Sequence, residues 1–264
     1  MYESLNIFER IISHASAKTR MCGSNTIDIR ALFCSNNKVY FVKITQLFKN
    51  SPSLLPPRNI KKLVLFLHGY GSNGEDLLEI GRIWQPSLEH TAFLSPNAIE
   101  PFEGNPFGNS YQWFGLSDFT PLNVRAGLDK ARPHLNRFIK QVLADYRLLP
   151  SDLILVGFSQ GTILALEMLF SISRLGGIIG YSGAFYPPIN ATLSSPPPVL
   201  LVHGTTDVVV SYAMMQTAQT HLRQLGVNVM TKTCPGLGHS IDEAGLMAGL
   251  DFIKYQHQNQ PIAL

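Results

Sequence analysis

Hydrophobic positions along the chain fall into two alternating kinds of stretch. Short unbroken apolar runs occupy residues 63–67 (Leu-Val-Leu-Phe-Leu), 92–94, 153–156, 177–181 and 198–202, and the mixed stretch 227–233 reads as one more strand. Runs of this length with β-branched residues and no polar alternation predict strands covered on both faces. Between them, apolar residues recur every three or four positions. This is clearest in residues 123–147, where Leu128, Ala131, Leu135, Phe138, Val142 and Tyr146 make one helical stripe. Residues 73–83, 162–170, 212–225 and 241–255 read as further helices, and Pro133 is expected to kink the long one. Strands alternating with helices predict an α/β fold with a mostly parallel central sheet and helices on both faces.

The pattern divides the chain into three parts. Residues 1–45 are an N-terminal extension in which residues 3–13 suggest a short amphipathic helix and residues 38–44 a strand. Residues 46–258 form the α/β domain, entered through a loop at 51–57, and residues 259–264 are a polar tail. Two loops stand out by length. Residues 95–120 bring six aromatics (Phe102, Phe107, Tyr111, Trp113, Phe114, Phe119) and no Lys or Arg, and residues 184–198 contain five prolines. Long ordered loops after strand ends usually line a binding cleft in such folds. Trp113, Phe114 and Phe185 are therefore expected to contact an apolar substrate.

Composition narrows the function classes. With 45% hydrophobic and 15% charged residues and a net charge of +3, the chain lacks the basic tracks that bind nucleic acid. No apolar segment is long enough to span a bilayer. Cys22, Cys34 and Cys234 have no metal-ligand spacing, and their odd number suits a reducing compartment. The first twenty residues lack the apolar core of a secretory signal, so the expectation is a cytoplasmic protein and an idle sequon at Asn190. A homodimer is compatible with everything above.

Chemistry concentrates at Gly157-Phe158-Ser159-Gln160-Gly161. This G-x-S-x-G pentapeptide lies between a predicted strand and a predicted helix, the context of a nucleophile elbow. A serine needs a base to take its proton, and the base needs an acid to orient it. The acid should follow a later strand, which selects Asp207 in His203-Gly-Thr-Thr-Asp207. Of the histidines beyond it, His221 falls inside a helix and His257 near the tail. His239 sits in a glycine-rich loop, Pro235-Gly-Leu-Gly-His239, before a helix that Ser240 and Glu243 are expected to cap reciprocally. Backbone N–H groups of Gln160 and Tyr70 are the candidate oxyanion donors, with Gly69 and Gly71 permitting close approach. His68 is expected to brace that loop.

Two other readings compete. Gly69, Gly71 and Gly74 follow a strand and open a helix, as in a dinucleotide fingerprint, with Glu89 downstream as the ribose ligand. That reading leaves Ser159, Asp207 and His239 unused, and Glu89 precedes the strand it should follow. A hydrolase-like scaffold that only binds ligands is the third reading.

Five motifs in order carry a family resemblance: Leu65-Phe-Leu-His-Gly-Tyr-Gly-Ser-Asn-Gly-Glu-Asp-Leu77, Gln112-Trp-Phe114, Gly157-Phe-Ser-Gln-Gly161, His203-Gly-Thr-Thr-Asp207 and Pro235-Gly-Leu-Gly-His239. Together, across roughly residues 48–255, they resemble the phospholipase/carboxylesterase family of α/β-hydrolases, which includes acyl-protein thioesterases. The resemblance implies hydrolysis of carboxylic esters, lysolipids or acyl thioesters, including acylated proteins, with no metal or organic cofactor. It implies Ser159, Asp207 and His239 as the triad, and Tyr70 and Gln160 as oxyanion donors. Family members often carry proline after the acid and at the end of that motif. Val208 and Ser211 stand here instead, a change expected to loosen the acid loop.

Overall fold

The computed structural model describes residues 51–56, 59–116 and 118–259. The expected helix at 3–13 and strand at 38–44 lie outside the described residues, as do nearly all of the extension and tail.

In chain order the elements are β1 (Ser53–Leu54), β2 (Lys62–Leu67), α1 (Gly74–Trp84), β3 (Thr91–Leu94), β4 (Glu100–Pro101), β5 (Tyr111–Gln112), α2 (Pro121–Tyr146), β6 (Leu153–Phe158), α3 (Gln160–Glu167), β7 (Gly177–Tyr181), β8 (Val199–Gly204), α4 (Ala213–Gln224), β9 (Val229–Cys234) and α5 (Glu243–Asn259). Seven strands form one sheet in the order β1-β3-β2-β6-β7-β8-β9, and every pairing is parallel except β1 with β3. β4 and β5 make a separate hairpin.

The apolar runs of β2, β3, β6, β7 and β8 are continuous because each of these strands is covered twice. Leu63, Leu65, Leu67, Leu153 and Leu155 pack with α2, α3 and α4. Their neighbours Val64, Phe66, Ile154 and Val156 point the other way, onto Leu77, Leu78 and Trp84 of α1 and Leu246, Leu250 and Ile253 of α5. Val64 pairs with Phe93 on one side and Ile154 on the other, which puts β2 and β6 in the middle of the sheet.

Local expectations hold with several adjustments. α2 starts at Pro121, two residues earlier than expected, because Thr120 accepts the Asn123 N–H as its N-cap. Pro133, the expected kink position, lies inside this helix. Ser53 and Leu54, expected in a loop, pair antiparallel with β3 at the sheet edge. α5 is capped by Asp242, whose Oδ1 accepts the Gly245 N–H at 2.7 Å, in place of the expected Ser240–Glu243 box.

Because the sheet strands from β2 onward are parallel, the segments after β2, β6, β8 and β9 emerge on one edge. Tyr70, Ser159, Asp207 and His239 lie in those four segments. Carboxyl ends of parallel strands are where α/β sheets place their sites.

Candidate active site

Ser159 joins β6 directly to α3. Its backbone is held at φ 53°, ψ −115°, a region that a side chain disfavours. Its own N–H donates to Tyr181 O at 2.9 Å, and its carbonyl accepts the N–H groups of Thr162 and Ile163. Tight crossing explains the flanking glycines. A Cβ at Gly161 would lie 1.8 Å from Leu67 O, and one at Gly157 would lie 2.4 Å from Thr162 N. Ser159 stands in the N-cap position of α3, yet its side chain caps nothing. The turn thus directs the hydroxyl away from the helix it opens.

Asp207 collects four donors. Oδ1 accepts the Val209 and Val210 N–H groups at 2.9 Å each. Oδ2 takes His239 Nδ1 at 2.8 Å and lies 3.3 Å from His203 Nε2. Burial opposes the charge, but the hydrogen bonds from His203, His239 and Val210 outweigh it and hold the carboxyl well below the usual carboxylate range. The missing proline at 208 leaves this turn intact, since the carboxylate binds the next two backbone amides itself.

The loop bearing His239 is tied to the acid loop. Thr205 N–H donates to Cys234 O, Thr206 N–H to Leu237 O, and Gly236 N–H to Thr205 Oγ1 at 2.8 Å. The Cys234 thiol donates to Asp242 Oδ1, closing the loop at its base, and burial together with Asp242 pushes that thiol up to about 12. The imidazole of His239 packs on Phe158, the residue before Ser159, with ring centroids 4.9 Å apart. Asp207 accepts at Nδ1, so Nδ1 carries the proton and Nε2 is the free base.

The loop after β2 supplies Tyr70. Gly71 N–H donates to Tyr111 O and Ser72 N–H to Gly69 O, while no described residue accepts the Tyr70 or Gln160 N–H. His68 beneath is fully buried. Its Nε2 accepts the Ala98 N–H at 3.0 Å and its Nδ1 donates to Gly69 O at 2.7 Å, which defines the tautomer. Burial lowers its pKa to about 4, so it is a neutral brace.

The same loop rules out the dinucleotide reading. The N–H groups that would cradle a pyrophosphate are spent: Gly71 on Tyr111, Gly74 on the Asn97 side chain, and Asp76 on Asn73. Glu75 and Asp76 add negative charge in the first turn of α1.

Trp113, Phe114 and Phe185 were expected to wall an open cleft, and all three are enclosed in the core. Trp113 Nε1 donates to His68 O at 2.9 Å, and Phe185 stacks on Phe170. This corrects the expected cleft wall: Trp113 and Phe114 turn inward where the 95–120 loop folds back over β2, and Phe185 turns inward onto Phe170. The apolar side chains these loops leave exposed are Phe107, Phe119 and Ile189.

Three features escaped sequence reasoning. The Gln160 side chain bridges Trp113 N–H and Phe114 O. The Tyr70 hydroxyl donates to Glu103 of the β4–β5 turn. His203 reaches the same Asp207 oxygen that His239 meets. Only the last left a trace, an i,i+4 spacing that becomes meaningful once the chain turns sharply after β8.

The fold is that of an α/β-hydrolase. More narrowly, the chain belongs to the phospholipase/carboxylesterase family, whose model matches residues 55–257. Esterase YpfH of Escherichia coli (strain K12) is 30% identical over 201 residues, covering 76% of this chain and 85% of that protein. Acyl-protein thioesterase 1 homolog 1 of Dictyostelium discoideum is 30% identical over 199 residues, covering 70% and 86%. Among solved structures, esterase PE8 superposes with a TM-score of 0.73 at 39% identity, over 78% of this chain and 97% of that one.

Proposed function

We propose that this protein hydrolyses carboxylic esters or acyl thioesters through an acyl-enzyme on Ser159. The observation that carries the reading is the His239–Asp207 hydrogen bond of 2.8 Å, on an imidazole packed against the residue preceding a strained serine. His239 Nε2 takes the Ser159 proton as Oγ bonds to the substrate carbonyl carbon. The carbonyl oxygen becomes an oxyanion facing the unspent N–H groups of Tyr70 and Gln160. Collapse expels the alkoxide or thiolate, which leaves with the proton from His239. Water then repeats the sequence on the acyl-enzyme, releasing the acid and Ser159. Asp207 stays ionised throughout, because four donors hold its charge.

Support for acyl substrates comes from the relatives named above and from the carboxyl-edge loops, which offer Phe107, Phe119 and Ile189 and no cationic clamp in residues 95–120. Among the described residues no helix is long and apolar enough to cross a membrane. The cysteine set and the buried free thiol of Cys234 favour the cytoplasm as the compartment.

The test is a chain-length series of p-nitrophenyl and thioester substrates, run beside fluorophosphonate labelling. Wild type should be labelled, and kcat/KM should rise from acetyl to medium chains by up to about fourfold per carbon. Ser159→Ala should lose labelling and about three or more orders of magnitude in kcat. Turnover that survives Ser159→Ala would overturn the assignment.

A further inference from the structure

We infer that His203 is a positioning residue for the reaction, a second imidazole that holds the Asp207 carboxylate and takes part of its charge away from His239. This rests on the triad reading above. His203 ends β8 and is almost fully buried. Its Nε2 lies 2.8 Å from Val210 O and 3.3 Å from Asp207 Oδ2. Both partners are acceptors, so Nε2 must carry the proton and share it between them. The ring is held in place by Tyr212, which meets it edge-on at 6.1 Å and anchors its own hydroxyl on Thr233 Oγ1 at 2.8 Å.

The consequence for catalysis is electrostatic as well as geometric. Two ring N–H groups converge on the same oxygen of Asp207, His203 from β8 and His239 from the loop after β9. Two backbone N–H groups occupy the other oxygen, so no rotation of the carboxylate frees Oδ2 without breaking bonds. A carboxylate that gives part of its charge to His203 polarises His239 less strongly. His203 thus sets how strongly Asp207 draws on the ring that is proposed to act first as base and then as acid to the leaving group. His203 touches neither substrate nor reacting atoms. It acts through Asp207.

His203→Phe keeps the ring and the Tyr212 contact but removes the donor, while His203→Gln can restore an N–H at the same reach. With p-nitrophenyl butyrate, His203→Phe should lose about tenfold to a hundredfold in kcat, with KM changed much less. The acid limb of its kcat/KM profile should move to higher pH by about half a unit or more, because His239 then faces an unshared charge. His203→Gln should recover most of kcat and the wild-type limb. Equal losses in both variants with an unmoved limb would reduce His203 to packing and overturn the inference. Should His203→Phe fail to fold, nitrogen NMR on the wild type decides independently: a His203 ring protonated on Nδ1 alone would overturn it. Activity in Ser159→Ala would strike the triad reading, whereas the His203 limb shift reads only this inference.

Discussion

The Gln160 side chain gives Trp113 the hydrogen-bond partner that a neighbouring strand would otherwise supply. Its Oε1 accepts the Trp113 N–H at 2.9 Å, while its Nε2 donates to the carbonyl of Phe114 at 2.8 Å. Trp113 in turn donates Nε1 to His68 O, and His68 braces the loop of Tyr70. One circuit of buried bonds thus joins the two candidate oxyanion donors. Rigid placement matters there, since donors help only when aimed where charge develops.

Gln160→Leu should break this circuit while leaving the Gln160 backbone N–H in place. Kinetics should show kcat reduced about tenfold to a hundredfold, with a smaller change in KM. Gln160→Glu offers a sharper readout. Protonated, a glutamic acid reproduces both bonds; ionised, it faces the Phe114 carbonyl with no donor. Its kcat relative to wild type should therefore rise as pH falls, and a ratio flat with pH would count against the circuit.

His68 predicts a pH-dependent stability with a defined sign. Burial keeps it neutral down to about 4 in the folded chain, whereas in the unfolded chain it titrates near 6.5. Between those values the unfolded state binds more protons, so stability falls as pH falls. The window opens at about 6.5 and closes at about 4. At pH 5 the loss from this one group should be about 2 kcal/mol relative to neutral pH. Urea midpoints at pH 7 and 5 should lie closer together in His68→Gln than in wild type, and equal gaps would refute the assignment.

Glu167 predicts a stability effect away from the chemistry. Its side chain on α3 is 1% exposed and pairs with Arg125 and Arg132 of α2. Arg125 also donates to Tyr186 O, fastening the proline-rich loop after β7. Glu167→Ala should lower the urea midpoint, because it removes the buried one of the two carboxylates, Glu167 and Asp129, that Arg125 and Arg132 share. Glu167→Met should cost less than Glu167→Ala, since it fills the space. An unchanged midpoint in both would mean that the pairing adds nothing.

Much of the molecule was legible in the chain itself because its signals are local. Unbroken apolar runs mark strands covered on both faces, and the Gly157-to-Gly161 elbow is readable since a sharp strand-to-helix turn admits little else. Asp207 and His239 could be picked out by their loops following strands. Residues 95–120 were harder. Their aromatics suggested a cleft wall, but burial depends on which way a loop folds, and composition carries no direction.

The sequence by itself therefore determined the strand and helix order and the residue types that follow each strand end, because periodicity and turn chemistry act over a few neighbours. Only the tertiary structure decided which groups meet. His203 reaching Asp207, Gln160 holding Trp113, and Trp113 buried under His68 join segments 4, 47 and 45 residues apart. Even the four-residue pair depends on the turn that Val209 and Val210 make around the Asp207 carboxylate. The physical reason is that a buried polar atom must find a partner wherever the packed chain brings one, and that choice is made by three-dimensional closure.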